Sequence, residues 1–386
     1  MLRRLCKPLH HGTRKLSSPR PLSPWLRPMS TTTQHLSIPQ LVQEHKTVAS
    51  VVARLNETDS LQNTNGHELL AYYATKGRWQ EAQEVYDEVF RYASNNNNND
   101  NNMGDIRSNM ATYGLLMEAY IRGDSVDEAI DIYYSLKDYM DLHPVAAQQK
   151  GLDFGVSLYT QLITALSDTT STTSTADDDT VSPHLGYTVD DGAQEIMNVA
   201  KDCSSELRMA MLLFQDMRQQ GLQADASIYL ALLQRCGQEK DGYLVQQVHQ
   251  YLRMDDGIEL DDAMVYGLMD AYRRVGDEDA MVFELWENSA SNSGDLLTLV
   301  LDMCREKRYK QHAGRVWAQL AMEQKTPSSY RQMVSCLCEA NEWRQAKQLV
   351  MDMHGQGAPG YSDMVDLLID YGKKQGIQPD QWDDLM

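Results

Sequence analysis

Residues 112–136 read TYGLLMEAYIRGDSVDEAIDIYYSL, and this stretch decides the fold. Tyr113, Leu116, Met117 and Tyr120 recur at i, i+3, i+4 and i+7 and give a first helix one apolar face, with Glu118 among its polar positions. Gly123, Asp124 and Ser125 then break the pattern. Asp124 or Ser125 is placed to cap a second helix. Asp127 and Glu128 lie in its first turn, where the helix dipole favours carboxylates, and Ala129, Ile132, Tyr133 and Leu136 renew the apolar stripe. Ala129 is small enough to let two helices approach closely. The stretch is a helical hairpin.

Worn copies of the hairpin recur towards both ends of the chain. Anchoring each first helix (helix A) seven residues before its usual Tyr or Cys gives Gly66, Tyr113, Tyr159, Tyr229, Val265, Leu297, Tyr330 and Val365. The last four steps between anchors are close to 35 residues, and the earlier ones lengthen where irregular stretches lie. Sixteen residues after the anchor, in the second helix (helix B), stands an alanine in four copies: Ala82, Ala129, Ala313 and Ala346. In the first copy Leu69, Leu70 and Tyr73 supply helix A, Gly77 the turn, and Ala82, Val85, Tyr86 and Val89 helix B. In the third copy Tyr159, Leu162, Ile163 and Leu166 form one helix and Ala210, Leu213, Phe214 and Met217 the other, with STTSTADDDT between them.

The expected fold is all-α, an α-solenoid of helix-turn-helix repeats of about 35 residues. The array is expected over 66–386, with disordered insertions near 94–108, where asparagines run together, and 167–192. Leu41, Val42, Val48, Val51, Val52 and Leu55 suggest one amphipathic helix in a capping region over 37–65. Residues 193–200 suggest a further short helix.

Charge divides the chain unevenly. The first 43 residues hold no Asp or Glu but seven basic residues, Arg3, Arg4, Lys7, Arg14, Lys15, Arg20 and Arg27, among Ser, Thr, Leu and Pro. That is the composition of an organellar presequence, so residues 1–36 are expected to be a removable mitochondrial presequence and the mature protein a matrix protein. A basic tail that stays attached is the other reading. No apolar run is long enough to span a bilayer, which disfavours membrane insertion. Without those seven residues, 28 basic stand against 55 acidic side chains, a net charge of −27. So acidic a chain repels phosphate overall, and a nucleic-acid site would have to be local.

No motif for catalysis is present. The ten histidines form no H-E-x-x-H, and no Gly-rich phosphate loop or G-x-S-x-G occurs. Cys336 and Cys338 form a lone C-x-C inside a helical pattern without further ligands at a matching spacing, so two core thiols are expected rather than a metal site. Asp177 to Asp179 and the pair Asp255 and Asp256 read as solvated acidic loops. The expectation is of a non-enzyme with no cofactor, no catalytic residue and no metal.

The unit Y-x-x-L-[LIM]-x-A-Y, a Gly turn, then E-A and an apolar-aromatic pair, resembles the pentatricopeptide repeat family. Gly221 to Asp225 and Gly257 to Asp261 match the family's G-[IL]-x-x-D ending, each four residues ahead of the next anchor. The resemblance implies a right-handed superhelix that binds single-stranded RNA in an organelle, one base per repeat, read by the residue after the anchor together with the repeat's last residue. On this chain those pairs are His67 with Asn109, Gly114 with Gly155, Thr160 with Asp225, Leu230 with Asp261, Tyr266 with Ser293, Thr298 with Thr326, and Arg331 with Tyr361. Thr160 with Asp225 is a pairing the family uses for guanine. Thr160, Asp225, Asp261 and Thr298 are the candidate RNA-binding residues, and a mitochondrial mRNA or rRNA is the implied partner in RNA processing, stability or translation. Capping of a helix start by Thr160 and Asp225 stands beside base contact as a reading. An acidic scaffold for a basic mitochondrial protein, such as a ribosomal or assembly factor, is the alternative function.

Overall fold

A computed structural model describes residues 37–45, 47–57, 63–91, 108–168, 203–289, 293–321 and 324–376. The expected presequence, the Asn-rich run, most of 167–192, the short helix at 193–200 and the last ten residues lie outside them. Every described element is helical.

Two short helices open the chain where the apolar pattern suggested one, α1 (Ile38–Glu44) and α2 (Val48–Glu57). The polar residues between Val42 and Val48 interrupt the stripe and let the chain fold back. The pair forms an end cap: α1 packs on the A helix of hairpin 1 and α2 on its B helix, burying Val48, Val51, Val52 and Leu55.

Seven hairpins and a final A helix follow. Hairpin 1 is α3 (Asn63–Ala74) and α4 (Trp79–Val85), the latter continued by a π-helical turn over Tyr86–Arg91. Hairpin 2 is α5 (Met110–Arg122) and α6 (Val126–Leu142), trailed by the short α7 (Pro144–Gln149), which the repeat pattern did not announce. Hairpin 3 is α8 (Val156–Asp168) and α9 (Ser205–Gln219), and hairpin 4 is α10 (Ala226–Gln238) and α11 (Gly242–Met254). Hairpin 5 is α12 (Asp262–Val275) and α13 (Asp279–Asn288), and hairpin 6 is α14 (Gly294–Lys307) and α15 (Lys310–Gln319). Hairpin 7 is α16 (Pro327–Glu339) and α17 (Trp343–Gly355), and α18 (Tyr361–Gln375) closes the described array. Among the described residues no helix is long and apolar enough to cross a membrane.

The core is one continuous seam. Consecutive A helices stack on one another from α3 to α18, and each B helix packs on its own A helix and on the next one. The A layer is the more closely packed, which places it on the inside of the curve. The four alanines sixteen after the anchor are fully buried, and so are the anchors Tyr159, Tyr229 and Leu297. In the opening stretch Ala129, Ile130, Tyr133 and Leu136 are buried while Ile132 is half-buried, a rotation of the expected stripe by part of a turn. The step between Tyr159 and Tyr229 equals two repeat lengths, yet α8 packs directly on both α9 and α10, so no hairpin stands between them.

Every described hairpin turn shares a backbone device. Eleven residues after the anchor the chain takes a left-handed conformation: Gly77, Asp124, Lys240, Gly276, Arg308, Asn341 and Gly376 all have φ between 58° and 91°. That residue reverses the chain and lets helix B start two or three residues later. The first two turns also stack. A Cβ on Gly77 would lie 2.6 Å from the Arg122 carbonyl oxygen, and one on Gly123 would lie 2.4 Å from the Trp79 ring.

Candidate functional site

In four copies the side chain four residues before the anchor caps the A helix that follows. Asn109 accepts a hydrogen bond from the Thr112 amide at 3.1 Å, Asp225 from Ile228 at 2.9 Å, Asp261 from Met264 at 2.9 Å and Thr326 from Ser329 at 3.3 Å. These side chains are N-caps, which satisfy one of the open amides of each helix start. Of the residues expected at the repeats' last position, Asn109, Asp225, Asp261 and Thr326 thus cap helices.

Thr160 and Asp225 are brought together. The Thr160 hydroxyl lies 2.9 Å from Asp225 Oδ2 and 3.0 Å from the Val156 carbonyl oxygen, either of which can accept its proton, while Asp225 Oδ1 caps α10. Both side chains are half-buried. The pair joins hairpin 3 to the start of hairpin 4 and still turns hydroxyl and carboxylate towards the same stretch of surface. Of the two side chains only Asp225 caps a helix; the Thr160 hydroxyl lies within the first turns of α8.

The other candidates are arranged differently. Asp261 is exposed and caps α12, and its expected partner Leu230 has its Cδ2 where a Cβ on Gly267 would meet it at 2.7 Å. The Thr298 hydroxyl donates to the carbonyl of Gly294, one turn back on its own helix, at 2.6 Å. Around Gly114 and Gly155 a Cβ would meet nothing within 4 Å, so the row has an open step there. Tyr266 is 42% exposed and offers a ring in place of a polar reader. At the head of the row, His67 Nε2 is hydrogen-bonded to Thr112 Oγ1 at 2.7 Å, inside the capping box that Asn109 opens. Its ring stacks on Phe90, and burial lowers its pKa.

Beside the row runs a ladder of charge. Arg122 pairs with Glu118, Arg274 with Asp270, Arg305 with Asp302, and Arg273 with Asp270, Asp302 and Glu306 together. Each carboxylate sits five residues after an anchor, Glu306 excepted, and the arginines follow three or four positions on. The groove is neither uniformly acidic nor a track of open cations, because these guanidinium groups are already engaged by carboxylates.

Three of the anchor tyrosines, Tyr159, Tyr229 and Tyr330, end in acid or amide sockets that the sequence reading assigned to solvated loops or did not single out. Tyr229 donates to Asp255, which also takes the Arg218 guanidinium at 2.8 Å through both oxygens. Tyr330 donates to Gln356 at 3.1 Å. Asp216 receives Tyr133, Tyr159 at 2.7 Å and the Lys137 ammonium. Burial is the main cause pushing the Tyr133, Tyr159 and Tyr229 hydroxyls well above the ordinary tyrosine range. The signal available in the sequence was periodic: Asp255 and Gln356 each follow their anchor by 26 residues. Cys336 and Cys338 are buried free thiols, and Cys336 Sγ lies 3.7 Å from the Cys304 carbonyl oxygen.

Anchors, left-handed turns and capped A helices define the class, an α-solenoid of helical hairpins. The model of the PPR repeat matches residues 111–139 and 328–357, hairpins 2 and 7. Those two hairpins match the pentatricopeptide repeat. Solved structures similar to it include the pentatricopeptide repeat protein PPR10 from maize, 14% identical over 87% of this chain and 60% of that one, with a TM-score of 0.24. PPR10 in complex with an 18-nt psaJ RNA element is 13% identical over 90% of this chain and 62% of that one, with a TM-score of 0.30. The chain spans about three-fifths of the length of these proteins. No curated protein matches its sequence.

Proposed function

We propose that this chain is a pentatricopeptide repeat protein that binds single-stranded RNA along its A helices and serves mitochondrial gene expression. The observation that carries the reading is the juxtaposition of Thr160 and Asp225 at 2.9 Å, two polar readers of adjacent hairpins on one surface. The two matched repeats support RNA as the ligand class, and the RNA-bound state of PPR10 is a property of that protein. The basic, acid-free leader supports import into mitochondria.

The paired arginines shape the mode of binding. With few open cations on the A layer, affinity comes from hydrogen bonds and stacking on rings such as Tyr266 rather than from phosphate neutralisation. Recognition is expected to be strongest at hairpins 3 to 5, where Thr160, Asp225, Asp261 and Tyr266 cluster in register.

Crosslinking of the protein to RNA in isolated mitochondria, followed by sequencing, tests the reading directly: an enriched transcript supports it, and a yield equal to an uncrosslinked control sinks it. In vitro, Thr160→Val is expected to weaken binding of a guanine-containing oligonucleotide about fivefold, the worth of one hydrogen bond, while circular dichroism shows the variant folded. For the leader, replacing Arg3, Arg4, Arg14 and Arg27 by neutral residues should abolish import of a fluorescent fusion. A fusion that still reaches mitochondria would refute the leader's role.

A further inference from the structure

A cavity of about 450 Å³ opens between the B helices of hairpins 1 and 2, over α5. Its floor is apolar, formed by Leu116, Leu136 and Leu152, each nearly inaccessible. Its walls are aromatic. Tyr86 and Tyr113 stand side by side with ring centres 5.8 Å apart and hydroxyls 3.3 Å apart, and Tyr139 lines the cavity from α6. At the rim stand Glu128 and Asp131, both exposed.

That chemistry selects a cation. Tyrosine faces attract positive charge through the ring quadrupole, and two carboxylates at the mouth add to the attraction. The chain already shows the preference, because the Lys150 ammonium from the segment after α7 sits 4.8 Å from the centre of the Tyr139 ring. A phosphate backbone would meet the rim carboxylates and be repelled. A guanidinium suits the site better than an ammonium: it is planar, stacks on aromatic faces, sheds water more readily and donates two parallel hydrogen bonds to a carboxylate.

We infer that this cavity is a docking site for an arginine side chain of a basic protein partner, with the guanidinium against the tyrosine rings and beside Glu128 and Asp131. The hairpin array would then hold RNA on its A layer and a basic protein between its first two B helices.

The test is fluorescence anisotropy with the full chain and a fluorescein-labelled Gly-Ser nonapeptide carrying three arginines, against the same peptide carrying three citrullines. The arginine peptide is expected to bind and the citrulline peptide to fail. Glu128→Gln with Asp131→Asn should weaken the arginine peptide about tenfold. Ile132→Trp, which fills the cavity without changing charge, should do the same. Lys150→Gln, which removes the internal competitor, should tighten binding. These positions are half-buried or exposed, and circular dichroism checks each variant for folding. Equal binding to wild type and to the filled cavity would overturn the assignment and leave general attraction to an acidic chain as the cause. Displacement of the peptide by a single-stranded RNA oligonucleotide would also overturn it, by placing RNA in the cavity.

Discussion

Asp225 holds two tasks at once, and substitutions can separate them. Asp225→Ala removes the N-cap of α10 and the acceptor of Thr160, so it should lower stability by about 1 kcal/mol, read as a drop in melting temperature. Asp225→Asn keeps a capping oxygen and should melt close to wild type. Histidines supply a second residue-level handle. Burial lowers the pKa of His67 below its ordinary 6.5, and burial followed by the nearby Arg253 does so for His249, which is hydrogen-bonded to Tyr272. The folded chain therefore favours neutral imidazoles, and the unfolded chain binds the extra protons. The stability these groups contribute is present above pH 6.5 and is lost as pH falls below it. Melting temperature between about pH 7.5 and about pH 5.5 should fall less steeply in His67→Gln with His249→Gln than in wild type.

At the scale of the helical hairpin, the turns carry the sharpest expectations. Gly123→Ala would drive a methyl group into the Trp79 ring and should cost about 1–3 kcal/mol in thermal unfolding. Gly276→Ala forces a side chain to φ 91° and should cost about 1 kcal/mol or more. Arg308→Gly at φ 62° should melt no lower than wild type, because relief of the left-handed strain offsets the added freedom of the unfolded chain. These turns also explain what could be read beforehand. Helix faces were legible because burial against both neighbours imposes a period on Leu, Ile, Val and Tyr. The left-handed residue was not, because Asp, Lys, Arg and Asn fill it as often as Gly does. The division of the end cap into α1 and α2, the π-helical turn after Val85 and the small α7 stayed hidden for a related reason: each follows from how the chain meets its neighbours, and none leaves a periodic mark. Of the candidate site, the pairing of Thr160 with Asp225 came from the family resemblance laid on the repeat anchors, whereas the hydrogen bond between them and the aromatic cavity depend on packing between hairpins.

For the whole molecule, charge sets the response to salt. A chain with 35 basic and 55 acidic residues whose inner arginines are engaged has few cations to give to phosphates. Each phosphate neutralised on a single strand contributes about −0.7 to the slope of log K against log salt, and the slope here is expected to be shallower than about −2. A titration across salt concentrations that returned a steep slope would show that the arginines leave their carboxylates when RNA arrives.

The Asp216 socket also bears on where the polypeptide can be cut. Its partners Tyr133, Lys137 and Tyr159 all precede residues 169–202, and Asp216 follows them, while α8 rests on both α9 and α10. These contacts join the described residues on either side of that segment directly. Two separately encoded fragments ending at Asp168 and beginning at Cys203 should find each other on co-expression and purify as a stoichiometric pair, and Asp216→Ala should loosen it. This makes the segment a natural seam at which to split the protein and rejoin it at will.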